Sequence, residues 1–424
     1  GSVEGHGAGR EGSTGQASGA VRGKRGAGAD TLEGRPPAMP IGVRQIPDVI
    51  ALALVVWAHW KLSGWVVESE WAARRPALRM LGLVWRWVGI AWVTFGIVFG
   101  IGQIARLVPS STGREWVRGM AIIYGMCVVA AWMLHEMLRR APGFDPKRRE
   151  LLLAARASAV ALPAAACGYG VFLERNEFQM REVDLPVPGL PKDLDGLRLA
   201  QITDIHYSAY LGDRELERAI AMANETRPHV ALLTGDFISV RRDPLDRCLR
   251  LLPQLRAEAG VYGCLGNHEI LAGCEDYLEA AAAKLGITIL RGGARRLRFG
   301  GATLNLAGVD YQRTRWEYLK GAGRMVETDA VNVLLSHNPD VFPVAARQGW
   351  QATISGHTHG GQVNFELLGE HLNVARFFTP YVYGLYREGG SSIYVSRGLG
   401  TVGAPIRLGA PPEVNLIRLC AISS

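Results

Sequence analysis

Long apolar stretches fill the first half of the chain, and short apolar runs broken by polar and glycine-rich segments fill the second. Four stretches stand out: residues 49–67, interrupted by His59 and Lys61; 87–105, nineteen residues without a charge; 119–134, sixteen residues; and 157–173, seventeen residues rich in Ala and Gly with Pro163 inside. A membrane-spanning helix needs about 20 mostly apolar residues. The second stretch meets this outright and the others meet it with their flanks. Residues 47–173 therefore read as a membrane region of three or four transmembrane helices. The ionisable groups of these stretches, His59, Lys61 and Arg86, read as lying near span ends or in the first, weaker run. A transport path would instead need polar groups at mid-depth.

From residue 183 onward the pattern changes. Apolar runs at 197–202, 230–233, 261–265, 331–335 and 352–354 predict buried strands. Helical periodicity is expected at about 214–226, 243–257 and 275–285. Further strands are expected at 297–299, 302–309, 362–365, 392–395 and 414–419, with little helix among them. Residues 183–424 thus read as an α/β domain with two sheets, and ligands should collect at the strand ends. Residues 1–38 are rich in Gly, Ala, Ser, Arg and Glu, with almost no large apolar residue. They cannot bury a core and read as a disordered or non-native N-terminal extension, Met39 being the first methionine.

Charge sharpens this division. The formal net charge is +8, but residues 1–182 hold 22 basic and 14 acidic side chains while 183–424 hold 25 of each. A basic excess confined to the apolar half is not a nucleic-acid footprint, and no nucleic-acid binding is expected. Nine of the eleven tryptophans lie between Trp57 and Trp132, mostly near the ends of the apolar runs, where amphipathic rings settle at headgroup level. Lys and Arg mark the cytoplasmic side of a membrane protein. The most basic loop carries Arg139, Arg140, Lys147, Arg148, Arg149 and Arg156. This predicts a multi-pass protein of the cell membrane whose last span exits outward, with residues 174–424 outside the cytoplasm. The run from Asp145 to Leu152 also resembles a twin-arginine export signal embedded in the chain; ordinary snorkelling arginines are the plainer reading. The six cysteines form no C-x-x-C pair and read as free thiols.

The strand ends carry the chemistry. Asp204-Ile-His206, Gly235-Asp236, Gly266-Asn267-His268-Glu269, Ser336-His337-Asn338-Pro339-Asp340 and Gly356-His357-Thr358-His359-Gly360-Gly361-Gln362 follow five of the predicted strands, and hold five of the ten histidines. Asp204/His206 and His357/His359 are spaced so that in extended chain both side chains face one way. A metal needs such convergence, and the glycines permit the sharp turns and close backbone approach. Singly, each Asp is as well read as a helix cap and each His as a core or surface residue; together they form an ordered mixed nitrogen and oxygen set without thiolate, suited to Mn, Fe or Zn.

This series resembles the calcineurin-like metallophosphoesterase family over roughly residues 195–420. The Gly-His-Thr-His-Gly-Gly-Gln ending and the Ser-His-Asn-Pro-Asp before it are similar to those of a subgroup of membrane-anchored or exported bacterial phosphodiesterases. The resemblance implies a four-layer αββα sandwich preceded here by the multi-span helical region. It implies two divalent metal ions: one held by Asp204, His206, Asp236 and His359, the other by Asp236, Asn267, His337 and His357, with Asp236 bridging. It makes His268 the catalytic residue beside the leaving oxygen, as general acid or charge stabiliser. Asp340 and Glu269 would orient a ligand histidine or simply cap and solvate. Arg397 and Arg407 would hold a substrate phosphate or pair with a carboxylate. The continuation Phe237-Ile238-Ser239-Val240-Arg241 departs from the Asp-Arg-Gly of the protein-phosphatase branch, which makes that branch a poor match. The implied activity is metal-dependent hydrolysis of a phosphodiester, pyrophosphate or phosphomonoester. Membrane tethering points to a lipid or lipid-linked headgroup as substrate. A non-catalytic sensor or adaptor that keeps the metal-binding fold is the alternative, and a small-solute transporter a third.

Overall fold

The apolar stretches of the first half fold as helices. The computed structural model describes residues 46–100, 112–140, 146–241, 243–313, 317–367 and 370–421. The extension 1–38, the last residues of the 87–105 run and Arg106 lie outside the described residues. Four long helices follow one another: α1 (Ile46–Glu68), α2 (Pro76–Gly100), α3 (Thr112–Arg139) and α4 (Pro146–Phe172). Three of them, α1 to α3, hold segments long and apolar enough to cross a membrane. The first run, broken by His59 and Lys61, qualifies as fully as the other two. Helix α4 is 27 residues long, with Lys147, Arg148, Arg149 and Glu150 in its first turns and Pro163 inside.

The helices begin well before the hydropathy pattern does, and this corrects the placement of the polar groups. Helix α2 starts at Pro76 rather than at the uncharged run from residue 87, so Arg86 lies near its middle. His59 and Tyr124 sit near the middle of α1 and α3. The three meet: His59 Nε2 lies 3.1 Å from the Arg86 carbonyl oxygen and 3.3 Å from that of Trp85. A carbonyl only accepts, so Nε2 carries the proton, leaving Nδ1 to accept from the Tyr124 hydroxyl at 3.3 Å. Arg86 Nε donates to Ser63 Oγ at 3.0 Å, and the guanidinium lies 4.5 Å from the Trp60 ring centroid.

The second half is a sandwich. The first sheet has the order β1 (Gln179–Val187), β14 (Glu413–Ala421), β2 (Arg198–Ile202), β3 (Val230–Thr234), β4 (Val261–Cys264), β5 (Ile287–Ile289). The second has β12 (Gly384–Glu388), β13 (Ser391–Val395), β9 (Ala352–Ser355), β8 (Val331–Leu335), β7 (Ala302–Gly308), β6 (Gly293–Phe299). A separate hairpin pairs β10 (Asn364–Leu367) with β11 (Glu370–Asn373). Alternation along each strand assigns its faces. Leu199, Val230 and Leu232 meet Leu304, Val331, Val333 and Ile354 between the sheets. Ala200, Ile202, Ala231 and Leu233 face outward, onto α5 (Asp213–Glu225), α6 (Leu245–Leu251) and α8 (Glu275–Lys284) through Leu216, Ile220, Leu249 and Leu278. On the other side Ala307 and Leu334 meet Ala345 of α9 (Phe342–Gln348) and the fully buried Trp350. The order is helix, sheet, sheet, helix, the four-layer αββα arrangement. Each large aliphatic side chain buried between the sheets contributes about 1.5–3 kcal/mol.

Strands β2, β3 and β4 are mutually parallel, as are β7, β8 and β9, so the carboxyl ends within each group share one rim. That rim rests on the helices. Trp116 Nε1 of α3 donates to the Ala209 carbonyl at 3.1 Å, and its ring meets Tyr210 edge-on at 5.4 Å. The Arg407 N–H donates to the Gly170 carbonyl at 3.2 Å. Ile123, Val171, Ala404 and Ile406 close an apolar cluster at this junction.

Candidate metal centre

Four of the predicted ligands follow a strand end at the same interval. Strands β2, β3, β8 and β9 end at Ile202, Thr234, Leu335 and Ser355, and Asp204, Asp236, His337 and His357 come two residues later. Asn267 opens α7 (Asn267–Ala272) just beyond β4. The turns are strained in one characteristic way. Among the described residues eight that are not glycine have positive φ, and five of them are Asp204, His206, Asp236, His357 and His359. Such backbone costs about 1–3 kcal/mol each and persists only where its surroundings impose it. The glycines serve close approach: a Cβ on Gly266 would collide with the Asp236 carboxylate, and one on Gly356 with that of Asp204.

All of the predicted ligand positions except Asn267 fall into three overlapping groups whose ligand atoms lie within 4.8 Å of one another: Asp204, His206 and His359; Asp236, His337 and His357; and His206, Asp236 and His268. His206 Nε2 and His359 Nε2 face each other at 3.1 Å. His359 Nε2 is 3.4 Å from Asp204 Oδ1, and His206 Nε2 is 3.5 Å from Asp236 Oδ2. His337 Nε2 is 3.0 Å from Asp236 Oδ2 yet out of line for a hydrogen bond. Asn267 Oδ1, also buried, has no hydrogen-bond partner either. Carboxylates, ring nitrogens and an amide oxygen thus crowd one buried space, with His337 Nε2 and Asn267 Oδ1 left unpartnered, which is what a bound cation would resolve.

The protons are turned the other way. His337 Nδ1 donates to the Thr234 carbonyl at 2.7 Å, and His268 Nδ1 to the Ser239 carbonyl at 2.5 Å. Ser239 Oγ lies 3.0 Å from His206 Nδ1. Anchoring one ring nitrogen directs the other at a metal. Burial raises the pKa of Asp204. Burial also works against ionised Asp236, but His337 and His206 outweigh it and hold that carboxyl well below its usual range. His337 is itself pushed up to about 10, because Asp236 and Asp204 overcome the cost of burial. Burial, with His337 alongside, drives His357 down to about 3.

Neither supporting residue orients a ligand histidine, and Glu269 takes the capping role expected as its alternative. Glu269 accepts from three backbone N–H groups, those of Gly266 at 2.7 Å, Asp236 at 3.0 Å and Phe237 at 2.8 Å. It ties the Asp236 turn to the Asn267 turn rather than orienting a histidine. Asp340 orients no histidine either: its Oδ1 accepts from Thr379 Oγ1 at 2.5 Å.

The phosphate-holding reading of the two arginines fails. Arg397 Nε is bound to Glu413 Oε2 at 2.7 Å. Arg407 is fully buried, donating to the carbonyls of His359, Arg397, Gly398, Gly400 and Ala410. Its alternating Gly and Pro surroundings resemble an exposed loop in the sequence, and only the folded chain brings those carbonyls together.

Two residues were not singled out from the sequence. Tyr311 lies just past the end of β7, its hydroxyl 3.4 Å from His357 Nε2. Burial raises its pKa to about 12, so it stays protonated. The strand-end rule that located the ligands extends to it. Ser239, three residues after Asp236, carries no comparable signal.

A model of the calcineurin-like phosphoesterase family matches residues 197–361. The chain is 28% identical over 256 residues to the metallophosphoesterase YkuE of Bacillus subtilis, covering 59% of this chain and 89% of that protein. It is 30% identical over 231 residues to the phosphodiesterase YaeI of Escherichia coli, covering 51% of this chain and 80% of that one. It is also 30% identical over 275 residues to a transmembrane protein with metallophosphoesterase domain from Danio rerio, covering 62% of each, so it spans less than two thirds of that relative.

Proposed function

Because the chain belongs to the calcineurin-like phosphoesterase family, we propose that it is a membrane-held hydrolase that uses two divalent metal ions, Mn, Fe or Zn, to cleave a phosphodiester, pyrophosphate or phosphomonoester bond. The observation that carries this reading is the buried convergence of carboxylates and imidazoles, with His337 Nε2 and Asn267 Oδ1 left unpartnered around Asp236. The residues present suit the metals in donor type. Asp204, His206, Asp236 and His359 would hold one, and Asp236, Asn267, His337 and His357 the other. When bound, the pair supplies Lewis acidity to the phosphoryl oxygens and lowers the pKa of a bound water.

The chain's own residues do the rest. Asp236, shared by both ligand sets, offsets the repulsion of two cations. His268 sits 4.7 Å from the His206 ring with Nδ1 held by the Ser239 carbonyl, so Nε2 faces the cluster, and in the imidazolium form it would carry the proton that goes to, or stabilises, a leaving oxygen. The Tyr311 hydroxyl is a further donor facing the same space.

The catalytic half is held at the end of the bundle formed by the start of α3 and the end of α4. The opposite end carries Arg74, Arg75, Arg79, Arg139 and Arg140 and the basic start of α4. Under the positive-inside rule this supports a catalytic domain outside the cytoplasm, acting on a lipid or lipid-linked phosphate rather than on nucleic acid.

Purified full chain assayed on bis-p-nitrophenyl phosphate with Mn tests the activity. Turnover is expected in the wild type and should fall by about 10²–10⁴-fold in His268→Ala. A wild type with demonstrably bound metal and no turnover on this ester would sink the hydrolase reading and leave the non-catalytic adaptor.

A further inference from the structure

The segment after His359 runs from the helix junction to the edge of the metal centre. At its start Val363 packs against the junction cluster of Ile123, Val171, Ala404 and Ile406 and bridges Leu408. The chain then leaves as the β10–β11 hairpin and continues through a 3-10 turn, Val374–Phe377. At the other end it is fastened to the metal centre's rim. Asn373 Nδ2 donates to the Gly360 carbonyl at 2.7 Å, and Thr379 Oγ1 to Asp340 Oδ1 at 2.5 Å. Four of the described apolar side chains along the segment are exposed. Phe377 is 88% exposed, Phe378 75%, Val374 64% and Phe365 46%, with Arg376 exposed among them.

Adjacent exposed phenylalanines beside other apolar groups mark an interaction surface rather than an ordinary aqueous one. Three observations select its partner. The strap starts at the end of the helix bundle, so it is continuous with the level at which lipid meets the helices. Its composition, aromatic and aliphatic side chains around one arginine, suits the boundary of headgroups and acyl chains, where rings insert and a guanidinium meets phosphate. The rim it borders already rests on α3 through Ala209 and Tyr210.

We propose that the turn between Asn373 and Thr379 seats Val374, Phe377 and Phe378 in the lipid surface around the helices, so that the metal centre opens at the headgroup plane. This rests on the reading that α1 to α3 cross a bilayer, and it narrows the substrate to phosphate esters presented at that plane.

The test is photolabelling of the full chain in vesicles of phosphatidylethanolamine and phosphatidylglycerol with a diazirine that partitions into the bilayer, read by peptide mass spectrometry. The peptide holding Phe377 and Phe378 should carry several-fold more label than the one holding Leu285, which is exposed at the amino end of β5, away from the metal-bearing strand ends. The F377D/F378D double variant should lose this label while keeping the label on α1 to α3 and its bound manganese. The wild-type pattern decides even if the variant does not fold. Label on the helices with none on the strap overturns the inference and leaves the hydrolase reading standing. The same pattern with a doubled mass in solution overturns it too and assigns the strap to a second copy of the chain. Absence of label from the helices as well removes the membrane premise.

Discussion

The metal centre and the middle of the helix bundle both bury histidine, and they differ in how fully the buried polar atoms are partnered. In the bundle, His59 donates to backbone carbonyls and accepts from Tyr124, so donor meets acceptor and the contact is complete. In the metal centre His337 Nδ1 and His268 Nδ1 donate outward to the Thr234 and Ser239 carbonyls, while carboxylates, ring nitrogens and an amide oxygen crowd the interior, His337 Nε2 and Asn267 Oδ1 without a partner. The first arrangement fastens helices. The second calls for a cation. Histidine alone does not separate the two; the converging carboxylates and the unpartnered His337 Nε2 and Asn267 Oδ1 do.

Substitutions should divide along that line. Asp236→Asn removes the carboxylate shared by both ligand sets, and should cost more activity than the about 10²–10⁴-fold typical of losing one acid–base group. The same variant sharpens the contrast by calorimetry. Chelation should lower the wild-type Tm, since metal binds only the folded state, and should leave the variant's Tm nearly unchanged. Next comes Glu269→Gln, which keeps the size but weakens the hold on three backbone N–H groups. Metal affinity should fall by about 10–100-fold, as for other outer partners of ligands, measured by titration with manganese. Tyr311→Phe should lower kcat/KM by about 2–10-fold, the worth of one hydrogen bond, with metal content unaltered. Smallest is Tyr124→Phe in the bundle: about 0.6 kcal/mol of stability and no change in metal content or ester hydrolysis. A Tyr124→Phe protein that lost metal would break the distinction.

The clustering of the candidate ligands was legible because each lies within a few residues of an apolar run that reads as a strand, so order along the chain became order along a rim. The sandwich was legible for the same reason, through β2, β3, β4, β8 and β9. What lay outside that pattern was read less well. Strand β1 and the edge strands β5 and β12 are short or mixed in polarity and gave no clear alternation. The uncharged run from residue 87 hid the first turns of α2 and made Arg86 look terminal. Arg397 and Arg407 looked like anion holders because their partners, Glu413 and a ring of carbonyls, become neighbours only through tertiary folding. Phe377 and Phe378 read as ordinary apolar residues in sequence, since hydropathy does not report which way a side chain faces.

The pairing of β1 with β14 has a consequence for synthesis. Strand β14 lies between β1 and β2, and its Arg418 reaches Asp184 across 234 residues of sequence. As the chain leaves the ribosome, β1 emerges just after the helices and waits unpaired, with β2 as an open edge, until residues 413–421 arrive. So late a closing contact makes for slow folding. A chain halted before residue 413 would hold two unprotected strand edges beside its helices, open to pairing with any neighbour in the same state.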